Sequence, residues 1–260
     1  MPQLPNTFGG WIVFIIDEYG ELFLKGMANT LLIAILGTII GFLIGLVVAI
    51  AKTIPVRKTD KAFKKIVLKI LNVILSVYVE VFRGTPMMVQ AMVIYYGAAQ
   101  YLGLTMDPIF AGILIVSVNT GAYMAEIVRG GIISVDKGQT EGAMSIGMTH
   151  WQTMTNIVLP QAVRNIMPSI GNEFVVNIKD SSVLNVISVS ELFFTAKSAA
   201  GTYLKYFEVF FIAGAIYLVL TFTVTRILRL IERRMDGPDT YVITGSQSDS
   251  MSVLKVKKRS

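Results

Sequence analysis

The chain has 260 residues, of which 53% are hydrophobic and 15% charged, against roughly 25% charged in soluble globular domains. With a mean hydropathy of +0.64, this composition excludes a water-soluble protein built on one core. The absence of cysteine excludes disulfide frameworks, thiolate metal sites and cysteine nucleophiles, and a single histidine, His150, leaves multi-histidine metal centres and histidine triads without material.

The first residues, MPQLPNTFGGWIVFIIDEYGELF, contain no basic n-region and no small-residue cleavage site, so they do not read as a removable signal peptide. The apolar run Phe8–Ile16 is too short to cross a bilayer and is expected along the outer interface, making residues 1–22 an external segment. From Met27 to Ala51 there are 25 residues without a charge. As a helix they rise about 37 Å, enough for a ~30 Å hydrocarbon core. Gly37, Gly41 and Gly45 strip one face of side chains, so that another helix can approach closely. A second apolar stretch, 70–104, is interrupted by Glu80 and Arg83. A third, 108–128, carries Asn119, Thr120, Tyr123 and Glu126. The fourth, 159–183, is the most polar, with Glu173, Lys179 and Asp180 inside it. The fifth, 206–230, is uncharged from Val209 to Thr225. The expected architecture is an all-α integral membrane protein with five transmembrane helices. The chain then reaches the helix-stop pair Gly237-Pro238, and a polar tail over 236–260 reads as disordered.

The formal charge of +6 invites a nucleic-acid reading until the basic residues are placed. Lys52, Arg57, Lys58, Lys61, Lys64, Lys65 and Lys69 crowd the first interhelical loop, and the segment from Arg226 onward, with Arg129, Lys137 and Arg164, falls on the same side. Only Lys25, Lys197 and Lys205 fall opposite, with Arg83 and Lys179 inside spans. The positive-inside rule makes that crowded side cytoplasmic, giving N-terminus outside and C-terminus inside, as an odd helix count requires. The positive charge is therefore topological, and no nucleic-acid partner is expected.

Residues 129–158, with the first turn of the fourth span, are too polar and too helix-patterned for a plain connector. Asp136 with Gln139 can cap one short helix, Thr149 with Gln152 fits a capping box for a second, and Pro160 suits the first turn of the next helix. Glu141, Met144, Met148, His150 and Trp151 form a strip suited to docking a partner, though such helices could also pad the bundle.

Glu141, Gly142 and Ala143, Gly147 after three further residues, and Ile157, Leu159 and Pro160 after nine more together resemble the EAA signature of ATP-binding-cassette importer permeases, with Gly142 in place of the first alanine. YVEVFRGTPMMVQ (Tyr78–Gln90), the stretch Leu159–Leu184 and, less closely, KGMANTL (Lys25–Leu31) are similar to the polar-amino-acid uptake branch. The resemblance covers roughly residues 20–235. It implies a type I importer permease fold in the bacterial cell membrane, pairing with a second copy or a similar permease, two cytoplasmic ATPase subunits and an extracytoplasmic amino-acid-binding protein. It also implies a coupling helix in which Glu141, Gly142, Ala143, Met144, Gly147, Met148 and His150 meet the ATPase. No Walker motif G-x4-G-K-[ST] is present, so ATP and Mg are expected on the partner ATPase; no cofactor, metal or catalytic residue is expected in this chain.

Ionisable groups inside spans face a cavity, a partner or each other. Ser169, Glu173, Val176, Asn177 and Asp180 share one helical face. Glu173 has two readings: a carboxylate meeting the ammonium or cationic side chain of an amino acid, with Asn172 and Asn177 beside it, or an ion pair with Arg83 or Lys179. Glu80 and Arg83, three apart, can pair. Pro86 frees backbone groups of the preceding turn, which with Thr85 become candidate ligand contacts. The substrate-binding set is thus Glu173, Asn177, Thr85 and Arg83. Asn119, Tyr123 and Glu126 read as interhelical hydrogen bonding, and Met87 and Met88 as core. Two rivals stay open: an ion-coupled secondary amino acid carrier using the Glu173/Asp180 face as a cation relay, and a membrane sensor signalling through the 129–164 loop.

Overall fold

The computed structural model describes residues 4–54 and 61–235. The expected disordered tail, the Gly237-Pro238 stop and the loop cations Arg57 and Lys58 lie outside the described residues. Those described form helices and turns with no strand. They are α1 (Phe8–Thr53), α2 (Ala62–Gly84), α3 (Met87–Leu102), α4 (Pro108–Ser134), α5 (Lys137–Ser145), α6 (His150–Thr153), α7 (Leu159–Asp180), α8 (Leu192–Tyr203) and α9 (Tyr206–Met235).

The first departure from expectation is at the N-terminus. Phe8–Ile16 is the beginning of α1, a continuous 46-residue helix rising about 69 Å. The Thr7 hydroxyl caps it by accepting from the Gly10 N–H at 3.2 Å. Nothing between Phe8 and Met27 stops the helix. Trp11, Ile15 and Phe23 bury against Leu192, Ala196, Val209 and Ile212 of α8 and α9, while Asp17, Glu18, Glu21 and Lys25 face outward. Lys25 and Glu21, one turn apart, pair at 2.6 Å.

The glycine face of α1 packs on α4, the most extensive helix pair in the fold. A Cβ at Gly37 or Gly45 would overlap Val116 or Met124, and one at Gly41 would lie 2.8 Å from the Thr120 Cβ. Backbones this close gain dispersion contacts along their whole length, the main source of helix association where lipid removes the hydrophobic drive.

The expected second span is two helices, broken at Thr85-Pro86. Pro86 cannot donate to the Phe82 carbonyl and its ring crowds that turn. The fourth continues further than expected. From His150, α6 runs through a π-helical turn (Met154–Val158) into α7 and a 3₁₀ turn (Ser181–Ile187). The second loop helix is therefore the first turn of this long element. Pro160 supplies the reason for the π turn, since it removes the N–H that would bond to Asn156 and displaces that carbonyl. α8 follows as an additional helix bent by 54° from that element, in a stretch for which no helix was expected.

Among the described residues, α1, α4 and α9 are each long and apolar enough to cross a membrane. The α6–α7 element with its 3₁₀ turn qualifies only together with α8.

Candidate functional site

α2, α4 and α7 enclose an open cleft of about 570 Å³ lined by Arg83, Tyr123, Glu126, Ile127, Pro168, Ser169, Asn172 and Glu173. The Arg83 guanidinium lies 5.5 Å from the centre of the Tyr123 ring, a cation–π contact that holds it at the wall. Glu126 is engaged at the opposite end. Its carboxylate accepts from Arg129 Nε at 3.0 Å and Nη2 at 2.7 Å, and Lys52 Nζ stands 3.6 Å away. Glu126 therefore joins the ends of α1 and α4 by ion pairing in addition to lining the cleft.

Glu173 is half-buried and, among the described residues, forms no ion pair; neither Arg83 nor Lys179 reaches it. Glu80 and Arg83 do not pair either. Glu80 turns to a separate groove along α2 with Lys65, Lys69, Asn72 and Ser76. The cleft thus presents one guanidinium, one carboxylate without a fixed partner, a phenol and the Asn172 amide, a set that suits a small ligand carrying both charges.

Two residues expected in this set are used elsewhere. Asn177 is buried between α1, α4 and α7. Its amide donates to Thr38 Oγ1 at 2.9 Å and its carbonyl oxygen accepts from Thr120 Oγ1 at 3.1 Å. Only about 40° of helical rotation separates it from Glu173, yet the neighbouring helices place one inside the core and the other in the cleft. Replacing Asn177 with Leu should cost about 1–3 kcal/mol, because Thr38 and Thr120 lose their buried partner. Thermal unfolding of the purified protein should show the loss, whereas a drop in ligand affinity at unchanged stability would overturn the structural role.

Thr85 donates its hydroxyl to Val81 O at 2.8 Å and accepts from Gln90 Nε2 at 2.9 Å. The carbonyl that Pro86 orphans is taken within the protein, since Phe82 O accepts from Gln90 Nε2 at 2.9 Å and Asn119 Nδ2 at 3.2 Å. Asn119 also donates to Gln90 Oε1 at 2.9 Å, so its expected interhelical role holds. Gln90 escaped notice in the sequence, although an amide four residues after a helix-breaking proline was the available signal. Met87 packs on the core around Ile115, but Met88 is exposed.

A second unanticipated residue is Glu191. Its fully buried carboxylate caps α8 by accepting from Phe193 N at 2.9 Å and Phe194 N at 2.6 Å, and it accepts from the Tyr217 hydroxyl at 2.9 Å. Glutamate is not among the preferred capping residues, which explains the oversight.

The α5–α6 loop is built by local rules. Asp136 Oδ1 accepts from the Gly138 N–H at 2.6 Å and its carbonyl oxygen from the Gln139 N–H at 3.0 Å. Thr149 and Gln152 complete a reciprocal capping box, with bonds of 2.8 and 3.3 Å. Between the helices, Gly147 has φ +86°. Met148 N donates to Ala143 O at 3.2 Å and Gly147 N to Met144 O at 3.0 Å, the Schellman closure that requires a left-handed residue at that position. Glu141, Gly142, Met144, Gly147 and Trp151 are exposed, Met148 and His150 half-exposed, and Ile146 is 79% exposed. Ala143 is the exception. It is buried and faces its own chain.

A chain with this loop outside the helix bundle and this cleft within it matches, over residues 66–237, the binding-protein-dependent transport system inner membrane component family. The chain belongs to that family. This permease is 39% identical over 162 residues to the arginine transport system permease protein ArtQ of Bacillus subtilis (strain 168), covering 62% of this chain and 74% of the relative. To the glutamine transport system permease protein GlnP of Escherichia coli (strain K12) it is 36% identical over 167 residues, 64% and 76% of the two chains. The crystal structure of an amino acid ABC transporter with histidines superposes with a TM-score of 0.74 at 38% identity, covering 85% of this permease and 97% of that chain. Membership makes it a membrane transport permease, not an enzyme, and favours that reading over an ion-coupled carrier or a sensor.

Proposed function

We propose that this permease is the membrane subunit of an ATP-binding-cassette importer that carries a polar amino acid through the α2/α4/α7 cleft. Glu173 and Arg83 provide the opposite charges for the ligand's ammonium and carboxylate, and Tyr123 and Asn172 provide neutral polar contacts. Thr85 and Asn177 support the helices around the cleft. The names of the similar permeases, for arginine and for glutamine, support an amino acid as the cargo.

The observation that carries the reading is the exposed α5–α6 turn on the EAA signature. A rigid turn with Glu141, Met144, Ile146 and Trp151 facing outward suits a groove on an ATPase subunit. In this reading two ATPase subunits bind below the membrane and hydrolyse ATP, with its Mg, for a chain that has no phosphate-binding loop of its own. An extracytoplasmic binding protein delivers the amino acid, and a second copy or a similar permease completes the pair. Five crossings are proposed, formed by α1, the broken α2–α3 pair, α4, the α6–α7 element and α9. The excess of Lys and Arg between α1 and α2 supports a cytoplasmic C-terminus and an external N-terminus.

Gly147 gives the test. Any L-residue at φ +86° costs about 1–2 kcal/mol, most for a β-branched one, and re-aims the turn. Gly147→Val and Glu141→Lys should leave the purified permease folded while abolishing co-purification of its ATPase and ATP-dependent uptake. Normal co-purification and normal uptake in both variants would refute the coupling role.

A further inference from the structure

A groove of about 300 Å³ runs between α7 and α9, lined by Lys179, Leu218, Thr221, Phe222, Arg226 and Arg229, with Lys179 on the same stripe of α7 as the cleft residue Asn172, two turns further along. It holds three cations and no carboxylate. Among the described residues, Lys179, Arg226 and Arg229 form no ion pair. Asp180, adjacent in sequence to Lys179 and within its electrostatic reach, is not part of the lining, and Glu232, one turn after Arg229, lines the neighbouring apolar cavity against Gly171. The two threonines cannot donate outward, because Thr221 Oγ1 donates to Tyr217 O at 2.8 Å and Thr225 Oγ1 to Thr221 O at 2.7 Å. Any ligand here is therefore recognised by positive charge.

The flanking surface is apolar. Leu218 is 68% and Phe222 57% exposed, on the same face of α9 as Arg226 at four-residue spacing. The Arg226 guanidinium lies 4.8 Å from the centre of the Phe222 ring, which holds it at the groove wall with its N–H edge free. Three unpaired cations beside an exposed apolar stripe match an amphipathic anion better than a free amino acid, which would leave Leu218 and Phe222 without a partner. Cations within membrane helices pair, face a cavity or snorkel to the interface, and basic pockets between helices suit lipid head groups.

We propose that this groove binds an anionic phospholipid. The phosphodiester lies among Lys179, Arg226 and Arg229, and an acyl chain runs along Phe222 and Leu218. The site shares no lining residue with the α2/α4/α7 cleft.

The test is native mass spectrometry of the full chain exchanged into mixed micelles with phosphatidylglycerol or phosphatidylcholine. The wild type should retain phosphatidylglycerol preferentially. Each cation near a lipid surface contributes on the order of a fivefold preference, so Arg226→Gln/Arg229→Gln should reduce retention roughly 25-fold. Arg226→Lys/Arg229→Lys should keep most of it and guards against a folding defect in the glutamine variant. Arg233→Gln/Arg234→Gln, on the last turn of α9 outside the groove, should have no effect. Equal retention of both lipids by the wild type would overturn the proposal. So would an equal loss in the Arg233/Arg234 control, which would indicate diffuse attraction, or displacement of phosphatidylglycerol by free arginine or glutamate, which would assign the groove to the transport path.

Discussion

Glu173→Gln is expected to reduce amino acid uptake by roughly ten- to a hundredfold while leaving the permease folded. The carboxylate has no ion-pair partner among the described residues, and it opens into the same cleft as Arg83 and Tyr123. Glutamine keeps its size and one acceptor oxygen but removes the charge. A hydrogen bond to a charged group contributes about 1.5–3 kcal/mol, and 1.4 kcal/mol is about a tenfold change in binding. A structural ion pair makes the opposite forecast, because removing one partner of a buried pair typically costs about 3–5 kcal/mol of stability. Uptake into proteoliposomes and thermal unfolding of the same preparation distinguish the two. Full uptake by a stable Glu173→Gln protein would remove this residue from the ligand path, and a variant that fails to fold would show that its charge is structural.

Gly45→Val should have the largest effect on folding. A Cβ there overlaps Met124 and stands 2.7 Å from the backbone atoms Ala125 N and Met124 C, which no rotamer change relieves. Overpacking a close interface typically costs about 1–3 kcal/mol, occasionally more, and here the two helices would have to separate along their principal contact. The expected outcome is a marked fall in melting temperature and in monodisperse yield. Gly97→Ala on α3 is the control. A Cβ at Gly97 meets nothing within 4 Å, so the change should be neutral or stabilise by up to about 1 kcal/mol. Similar melting temperatures for Gly45→Val and wild type would mean that the α1–α4 approach is looser than the structure indicates.

Features governed by short-range chemistry were legible in the sequence. The Thr149/Gln152 capping box, the loosening at Pro86 and the small-residue face of α1 each depend on residues within a few positions of one another, and each is present. The run Phe8–Ile16, too short to cross a bilayer by itself, was expected along the outer interface and apart from the first span; the charges after it face outward while Trp11, Ile15 and Phe23 pack on α8 and α9, and the helix continues through them. The candidate site was legible as a set of polar positions but not as a partition of them. Glu173 and Asn177 share a stripe on α7, yet one is in the cleft and the other is a buried clamp. Thr85 and the carbonyl freed by Pro86 looked available to a ligand until Gln90 and Asn119 proved to occupy them.

By itself the sequence determined that this is a membrane protein, that it carries the signature of an importer permease, and that its polar groups fall on particular helical faces, because hydropathy, motif spacing and helical periodicity are properties of the chain alone. Only the tertiary structure decided which faces meet. Arg83 joins Tyr123 and Glu173 in one cleft although they are far apart in sequence, Glu126 is neutralised by Arg129 and Lys52, and Lys179 gathers with Arg226 and Arg229 across a helix boundary. Periodicity fixes the direction of a side chain relative to its own helix axis, but rotation and crossing of the neighbouring helices determine whether that direction leads into the core, a cleft or lipid.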